Sequence, residues 1–585
     1  MKRTIAILLT AIFLFGLCGI GCVNDPTDAM TTAEPTAEPD PASTEPPAAV
    51  PTESAEDPNG IPVRWRNGGT LSFLPHEPLS VPKLSEMVYT RPDAEALIAQ
   101  IKALTEKVPE YTDAASFLNE YYDLAQDIHH FETMSDLALF RFCMHSYDRE
   151  IIEEYDYCDE QSAIVKEKQS ALYAACAASP YRDALEQAYF GEGFFADYDG
   201  YQAADEGFYA LIKQENDLLF RYYQQSNKVD YSSYYEIKQN HDVIGNLYIE
   251  LAKVRRQIAE AKGYENYMEY SYACTHQRDY TPAQARAFLE QVKAQLVPLM
   301  EHTQIAEEFA TYSDWYSSDS MKMLSAAAER MGGPVWESCR FLTGCELYDI
   351  SSAPNKQGVG YTSYLGDYEA PYIFIDPDSK DLLVTLFHEF GHFADFYVNY
   401  GIMTDLETAE TYSQAMQYLA FAYAEPFTEE ERTENLRATL SNLLIYSILR
   451  EGAFADFELQ VYALAPEELT LDRIDAIYGQ CMEDYGLSRL SGAQFRSIYW
   501  VAYGHFFSQA GYVISYAVSA VSAMQIARME AENPGAGVAA FCRLLNRTHG
   551  KKFSIVLEEA GLDSPFAPET LERTAEFLKD AFDLP

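Results

Sequence analysis

The chain has 585 residues, of which 90 are acidic and 42 are basic, so its formal net charge is −48. A surface of this charge repels nucleic acid phosphates and anionic lipid headgroups, which excludes both as partners of the folded part. Hydrophobic residues make up 48% of the chain and aromatic residues 14%, which is enough for a large core divided among two to four folding units.

The first 21 residues have the order of an export signal. Two basic residues precede an apolar run, which ends in the small-residue stretch "GIGC". This stretch resembles the lipobox of bacterial lipoproteins, and that resemblance implies that Cys22 is lipidated and becomes the first residue. The alternative is an uncleaved membrane anchor, because the apolar run is about long enough to span a bilayer. Both interpretations place the rest of the chain outside the cell, on the extracellular face of the membrane.

Residues 22–61 are rich in Pro, Thr, Glu and Ala. Such a segment cannot bury a core, and we expect a disordered, extended stalk. The folded part is predicted to begin at residue 62, with an N-terminal helical lobe over residues 62–230 and a catalytic region over residues 231–585.

Eight cysteines lie beyond the leader, and none of them forms a CxxC pair, which argues against a structural zinc site. Outside the cell some of these cysteines could pair, and the sequence leaves the pairing open. Cys339 and Cys345 are the closest two in sequence.

From Asp93 onwards the apolar periodicity is helical almost throughout. The segment "TPAQARAFLEQ" predicts an N-terminal cap at Thr281 with a capping box to Gln284. The clearest strand is "PYIFI", and Pro371 at its start favours an edge strand that exposes an open backbone edge beside the helix that follows. The fold class is therefore predominantly α with a small β element.

That next helix carries "HEFGH", with two histidines four residues apart and a glutamate directly after the first. Positions four apart lie about 40° apart around a helix, so His388 and His392 can hold one metal ion while Glu389 reaches its water. The alternative is an amphipathic helix with chance histidines. Val398 stands where HExxHxxGxxH needs its third histidine, so that arrangement is excluded.

A third ligand is expected on the next helix, where "DLETAETYSQ" supplies two glutamates. We favour Glu410, although Glu407 one turn earlier remains open. Asp395 is expected to contact a ligand or solvent instead of the metal. Over a hundred residues later, "GHFFSQAGYVISYA" places His505, Tyr512 and Tyr516 in an apolar helical run. Taken alone, these three residues are a core histidine and two packed tyrosines.

Together these segments resemble the thimet oligopeptidase and oligoendopeptidase F family of zinc peptidases. "HEFGH" followed by "ETYSQ" is similar to the family's HExGH and its following glutamate, "PYIFI" to its substrate-flanking strand, and "GHFFSQAGYVISYA" to its late His–Tyr block. The resemblance implies a two-lobed helical zinc-peptidase fold with a deep central channel. It also implies roles for ten residues: metal ligands His388, His392 and Glu410; general base Glu389; hydrogen-bond donors His505, Tyr512 and Tyr516; and substrate-flanking residues Tyr372, Ile373 and Phe374.

The expected function is a zinc-dependent endopeptidase that cuts internal bonds of short peptides outside the cell, with one zinc ion per chain. We expect a monomer that meets the membrane only through its lipid anchor. Two alternatives are a peptide- or metal-binding lipoprotein without turnover, which would not need Glu389, and a structural helical protein with incidental histidines.

Overall fold

The structure is a computed structural model that describes residues 81–584, with gaps at 191–192, 199–205, 227, 232, 303–304, 306–319, 378–381, 426, 491–496 and 549. The predicted leader, Cys22, the stalk and the first residues of the predicted lobe lie outside the described residues. Within the described ranges, none of the helices combines the length and the apolar character needed to cross a membrane.

The described part of the chain is predominantly helical. Its α-helices are α1 (Ala94–Lys107), α2 (Ala114–Met144), α3 (Arg149–Ala177), α4 (Arg182–Leu185), α5 (Glu206–Ser226), α6 (Tyr234–Ala261), α7 (Tyr267–Tyr270), α8 (Pro282–Gln295), α9 (Ser320–Met331), α10 (Gly333–Gly344), α11 (Leu382–Val398), α12 (Leu406–Tyr423), α13 (Glu429–Asn442), α14 (Glu451–Val461), α15 (Leu471–Asp484), α16 (Gly504–Ser508), α17 (Ile514–Glu532), α18 (Ala536–Leu545), α19 (Phe553–Ala560) and α20 (Pro568–Ala581).

Wider and tighter turns extend several of these helices. The π-helical segments are Glu186–Phe190, Ser271–Thr275 and Leu443–Arg450. The 3₁₀ segments are Leu84–Glu86, Val108–Glu110, Phe194–Tyr198, Val297–Glu301, Gly366–Tyr368, Leu487–Arg489 and Tyr499–Ala502.

Local capping confirms where two predicted helices begin. The Asp93 side chain accepts a hydrogen bond from the backbone N–H of Ala96 at the start of α1. At the start of α8, Thr281 and Gln284 form the reciprocal capping box that the sequence predicts. Both caps satisfy backbone N–H groups that have no partner within the helix, and they fix the first turn.

The small sheet has three strands, β1 (Tyr348–Asp349), β2 (Gly360–Leu365) and β3 (Ala370–Ile375), in the order β1-β3-β2. β3 pairs in parallel with β1 and antiparallel with β2, so the predicted edge strand is in fact the central one. The prediction from Pro371 was wrong because β1 is only two residues long and lies opposite Ile373 and Phe374. Pro371 lies beyond that ladder, so its missing N–H costs nothing on the β1 side.

The hydrophobic side chains form two main cores. The smaller one lies between residues 94 and 198, chiefly on α1, the first half of α2, and α3. The larger one extends from the second half of α2 to the C-terminal helix and includes β3, α11 and α12. Helix α5 also contributes to the larger core, through Leu218, Leu219 and Tyr222, although the sequence prediction placed it in the N-terminal lobe.

The eight described cysteines make no disulfide bond with one another, and all except Cys274 are buried. Buried thiols behave as small hydrophobic side chains, and Cys339 and Cys345 belong to the larger core in that way.

Candidate active site

Helices α11 and α12 cross in close contact at Gly391. A side-chain carbon added at Gly391 would lie 2.5 Å from the carbonyl oxygen of Tyr412 and 2.6 Å from Cα of Ser413. Only glycine allows two backbones to approach this closely without displacement. The glycine between the two histidines therefore brings α12 against the histidine face of α11.

The crossing brings together the three side chains that the sequence predicts as metal ligands. One oxygen of Glu410, Oε2, lies 3.7 Å from Nε2 of His388 and 3.9 Å from Nε2 of His392. The three donor atoms all lie within 4.8 Å of one another, and the three side chains are buried. In the described part of the chain this is the group of His, Cys, Asp and Glu residues with metal-binding geometry.

The electrostatics of this cluster suit a divalent cation. Burial lowers the pKa of His388 to about 4, and burial together with the charge of His388 holds the pKa of His392 well below its ordinary value. Both imidazoles are therefore neutral at pH 7 and able to act as ligands. Burial raises the pKa of Glu410 to about 8. A nearby cation would favour its charged form, and two imidazoles with one carboxylate are a donor set that zinc accepts while a fourth position stays open.

Glu407, the alternative ligand, has a different environment. Its Oε1 accepts hydrogen bonds from Nε of Arg278 at 2.7 Å, from the Tyr280 hydroxyl at 2.6 Å and from the Ser515 hydroxyl at 2.8 Å. Burial raises its pKa, but Arg278 and these donors more than offset that effect, so the pKa lies below its usual value. Glu407 therefore compensates a buried arginine and is not part of the metal-binding group.

Glu389 is 1% exposed and bonded to the edge strand of the sheet. The Thr362 hydroxyl on β2 donates to Oε2 of Glu389 at 2.8 Å, and it also lies 2.9 Å from the backbone carbonyl oxygen of Glu389. This contact fixes the orientation of the carboxylate relative to α11. Thr362 was not predicted from the sequence, because the strand predicted to lie beside the helix was the one at residues 372–374.

Tyr372, Ile373 and Phe374 do not present an open backbone edge. All three are fully buried in the central strand. Ile373 and Phe374 have ladder partners in both β1 and β2, and Tyr372 pairs with Ser363 of β2. Within the described residues, β2 is the strand beside Glu389 that pairs on one side only. A substrate strand that adds to this sheet therefore has β2 available, not β3.

Asp395, predicted to contact a ligand or solvent, is buried in an ion pair instead. Its carboxylate accepts hydrogen bonds from Nη1 of Arg547 and, at 2.8 Å, from the Asn399 side chain. Because Arg547 also binds the carbonyl oxygen of Ile402, this pair stabilises the turn between α11 and α12.

The structure brings the late His–Tyr block to the same site. The Tyr512 hydroxyl donates to Oε1 of Glu410 at 3.3 Å. The His505 ring lies 5.5 Å from the Tyr512 ring and 6.4 Å from the Tyr516 ring, measured between centroids. Burial, together with the charge of Arg450, lowers the pKa of His505 to about 4, so its imidazole is neutral at pH 7.

Two buried arginines hold the loop that carries His505 and Tyr512. Arg255 on α6 donates to the backbone carbonyls of Phe506 and Phe507. Arg278 donates to the carbonyl of Gly511 at 2.7 Å and to that of Tyr512 at 3.3 Å. Nothing in the sequence identified these arginines, because their partners are backbone atoms more than 230 residues away.

Further contacts close the same loop. The Ser271 hydroxyl donates to the carbonyl of Ala510 at 2.8 Å, and the backbone N–H of Gly511 donates to Glu458 at 3.0 Å. Gly511 has a φ of +83°, a left-handed conformation that favours glycine. The loop before α17 therefore has one fixed path, which places Tyr512 over Glu410.

Two regions of the sequence match known families. Residues 84–199 match the Peptidase M3 N-terminal domain and residues 333–576 match Peptidase family M3, together more than half of the chain. The chain belongs to peptidase family M3. Among proteins of curated function, none has a sequence that matches this one.

Solved structures of M3-like peptidases share the fold. PZ peptidase A with an inhibitor superimposes with a TM-score of 0.75 and 21% identity over 86% of this chain and 99% of its own. A structure titled oligoendopeptidase F gives a TM-score of 0.74 and 22% identity over 86% and 99%. An oligoendopeptidase F from Bacillus anthracis gives 0.71 and 20% identity over 85% and 98%. As a member of family M3 the chain is a peptidase, and these structures show that its fold is predominantly α-helical.

Proposed function

We propose that this M3 peptidase is a zinc-dependent endopeptidase that hydrolyses internal bonds of short peptides outside the cell, tethered by a lipid on Cys22. The observation that carries the proposal is the geometry around α11. A two-histidine, one-carboxylate cluster lies beside a buried glutamate, Glu389, that none of the three ligand roles requires. Binding alone does not need such a base.

His388, His392 and Glu410 would hold one zinc ion per chain. When bound, zinc polarises the scissile carbonyl and lowers the pKa of the attacking water towards about 7. Glu389 then acts as the general base, which takes a proton from that water and later gives it to the leaving amine. Thr362 keeps the carboxylate of Glu389 in one orientation through the hydrogen bond to Oε2.

Tyr512 and His505 are the candidate donors to the oxygen that becomes negative. The Tyr512 hydroxyl already lies at the metal cluster, on Glu410. His505 is neutral at pH 7, so it can donate an N–H without adding charge to the site. Donors fixed in advance stabilise the transition state more than donors that must be organised during the reaction.

The edge of β2 is the candidate site for the substrate backbone. An extended peptide could add to this edge as a further strand, with its hydrogen bonds to main-chain atoms. Such binding depends little on side chains and implies broad sequence specificity. The position of Thr362 on β2 keeps a peptide bound there next to Glu389.

The test is hydrolysis of synthetic peptides of graded length, with a folded protein as the longest substrate, followed by mass spectrometry. Wild type is run beside Glu389→Gln, which leaves the three proposed ligands in place. We expect internal cleavage of the short peptides by wild type only. Equal cleavage of the folded protein would contradict the proposed size limit. Loss of cleavage in both proteins, with metal still bound, would indicate a tethered binding protein.

The proposed location rests on the first 61 residues of the sequence. If Cys22 carries the lipid, Cys22→Ser should release the protein from the membrane fraction or leave an uncleaved leader. Metabolic labelling with a fatty acid should mark wild type and not this variant. Labelled Cys22→Ser protein would contradict the assignment of Cys22.

A further inference from the structure

A polar recess opens beside the proposed metal ligand His388. Two helical segments form most of its wall, α12 on one side and the π-helical segment Leu443–Arg450 on the other. The lining residues that matter for its chemistry are His388, Gln414, Gln417, Asn442, Arg450 and Tyr516. The recess therefore begins at the reaction centre and leads away from it.

Both walls of the recess carry polar side chains that line it. On α12, Glu410, Gln414 and Gln417 are spaced by four and three residues, so they form one stripe that starts at the proposed ligand Glu410. On the other wall, Asn442 ends α13 and Arg450 ends the π-helix. The π-helix is a rare element that occurs frequently at functional sites, and both Asn442 and Arg450 line the recess.

Two amide groups in the recess have no hydrogen-bond partner among the residues that the structure describes. Gln417 and Asn442 are each 3% exposed, yet neither side chain makes a hydrogen bond to any residue that the structure describes. Because both amides line the recess, a molecule that enters it can form hydrogen bonds with them.

Two of the three nitrogens of the Arg450 guanidinium form hydrogen bonds with described residues. Its Nε and Nη2 donate to a single oxygen of Glu451, at 3.0 and 2.5 Å, and the other oxygen of Glu451 accepts from the Tyr503 hydroxyl. The group lies 4.2 Å from the Tyr446 ring centroid, and the side chain is 10% exposed. In the described part of the chain, Nη1 makes no hydrogen bond, so one nitrogen of a buried cation is left for an anion.

We propose that this recess binds a carboxylate of the substrate peptide, with Arg450 as the charged contact and the amides of Asn442 and Gln417 as further donors. The inference rests on the proposed peptidase function, because it assigns a specificity site to the same reaction centre. The carboxylate has two possible sources, the C-terminus of the peptide or an aspartate or glutamate side chain. Since the recess begins at His388, either source lies a few residues from the bond that is cut.

The test compares matched peptides. One pair differs only in a free or amidated C-terminus, and a second, amidated pair differs only in a glutamate or glutamine near the cut bond. We expect wild type to prefer the carboxylate member of one pair by about 10- to 100-fold in kcat/KM, as hydrogen bonds to a charged group contribute. The pair that shows the preference identifies the source of the carboxylate.

The matched variant is Arg450→Gln/Glu451→Gln, which removes both charges together and retains an oxygen for Tyr503. Removing Arg450 alone would leave the Glu451 carboxylate buried without its partner. In the double variant the preference should fall to about 3-fold or less. Gln417→Leu removes a donor that no described residue needs, and it should reduce the preference by a smaller factor.

Measurements of peptide binding distinguish failure of the carboxylate-binding inference from failure of the proposed peptidase function. The same peptides are titrated against zinc-loaded Glu389→Gln protein, in which no turnover is expected, and the same preference should appear in Kd. Absence of any preference in wild type, in both kcat/KM and Kd, overturns the inference while leaving a peptidase. A preference that survives in the double variant overturns the assignment to Arg450. If no peptide is hydrolysed, the proposed function fails, and the Kd ratio still decides whether the recess binds a carboxylate.

Discussion

The two halves of the site are built in opposite ways. The α11–α12 half holds His388, His392 and Glu410 on two consecutive helices, and a single close approach at Gly391 brings the third ligand to the first two. The 503–516 half consists of the short helix α16, a loop and the start of α17, and its path depends on Arg255 and Arg278 from distant parts of the chain. The α11–α12 half, called here the metal half, is therefore built from residues close together in sequence. The 503–516 half, which carries the proposed hydrogen-bond donors and is called the donor half, depends on residues far away in sequence.

This difference has a physical cause. Helical spacing alone directs two histidines to one side, so a short motif contains most of the information for the metal half. A loop has no internal repeat to fix its path, and its backbone carbonyls must find donors elsewhere. Here two buried guanidinium groups supply them, and Glu407 compensates one of these charges. The donor half should therefore be damaged by substitutions that leave metal binding intact.

The largest effect is expected from breaking the Arg278–Glu407 pair. Arg278→Met leaves the Glu407 carboxylate buried without its cation and should lower the free energy of unfolding by about 3–5 kcal/mol. Chemical denaturation measures this loss.

The control is Arg278→Met/Glu407→Gln, in which Tyr280 and Ser515 still have an acceptor. It should recover most of the stability and bind zinc as wild type does, yet hydrolyse peptides more slowly, because the carbonyls of Gly511 and Tyr512 lack their donor. Wild-type turnover in this double variant would show that the arginine does not position Tyr512.

Tyr512→Phe tests the donor itself. Loss of one donor to the developing oxyanion should reduce kcat by about 100- to 1000-fold while one zinc ion per chain remains bound. Steady-state kinetics and metal analysis measure the two quantities. Tyr516→Phe is the matched control, and it should have the smaller effect. An equal or larger loss in Tyr516→Phe would reverse the roles given to the two tyrosines.

Gly391→Ala tests the helix crossing in the metal half. The added carbon would meet backbone atoms of α12, so the helices must separate at a cost of about 1–3 kcal/mol, and zinc affinity should fall with the displacement of Glu410. Gly344→Ala on α10 is the control, because nothing lies within 4 Å of the added carbon. Unchanged stability and zinc affinity in Gly391→Ala would contradict the close crossing.

The smallest effect is expected at His241, which supports the segment that leads into the donor loop. Nε2 of His241 lies 2.8 Å from Asp475, which also accepts a hydrogen bond from Trp500. Burial lowers the pKa of His241, but Asp475 and Asp242 more than offset it, so the pKa is raised above its ordinary value of 6.5.

A raised pKa in the folded state stabilises the protein at a pH below about 6.5, and this contribution is lost as the pH rises through the folded-state value. The stability difference between wild type and His241→Gln should therefore be largest in mild acid and should shrink in mild base. Thermal unfolding across this pH range measures it. A difference that grows with pH would contradict the assigned direction of the shift.

The fold class was predicted correctly from the sequence, and the three proposed metal ligands lie together as the sequence predicted. The HEFGH spacing brought His388 and His392 together, and the structure groups Glu410 with them and places Glu407 on Arg278. The strand at residues 372–375 was found, but its central position was not, because the two-residue strand β1 has no sequence signal.

The contacts that sequence reasoning missed are those between distant segments. Thr362 reaches Glu389 across 27 residues, and Arg278 reaches Gly511 across 233. The apolar periodicity of a sequence cannot indicate a contact between a side chain and a backbone carbonyl far away in the chain. The recess beside His388 is of the same kind, since its two walls come from α12 and from the end of a helix more than 20 residues later.

The most direct test of the account is the zinc content of purified protein after dialysis, measured for wild type, Glu410→Gln and Glu407→Gln. The account predicts one zinc ion per chain in wild type and in Glu407→Gln, whose defect should be in stability, and loss of stoichiometric zinc in Glu410→Gln. Absence of zinc from active wild type would contradict the proposed metal. Retention by Glu410→Gln together with loss from Glu407→Gln would contradict the ligand set on which the mechanism depends.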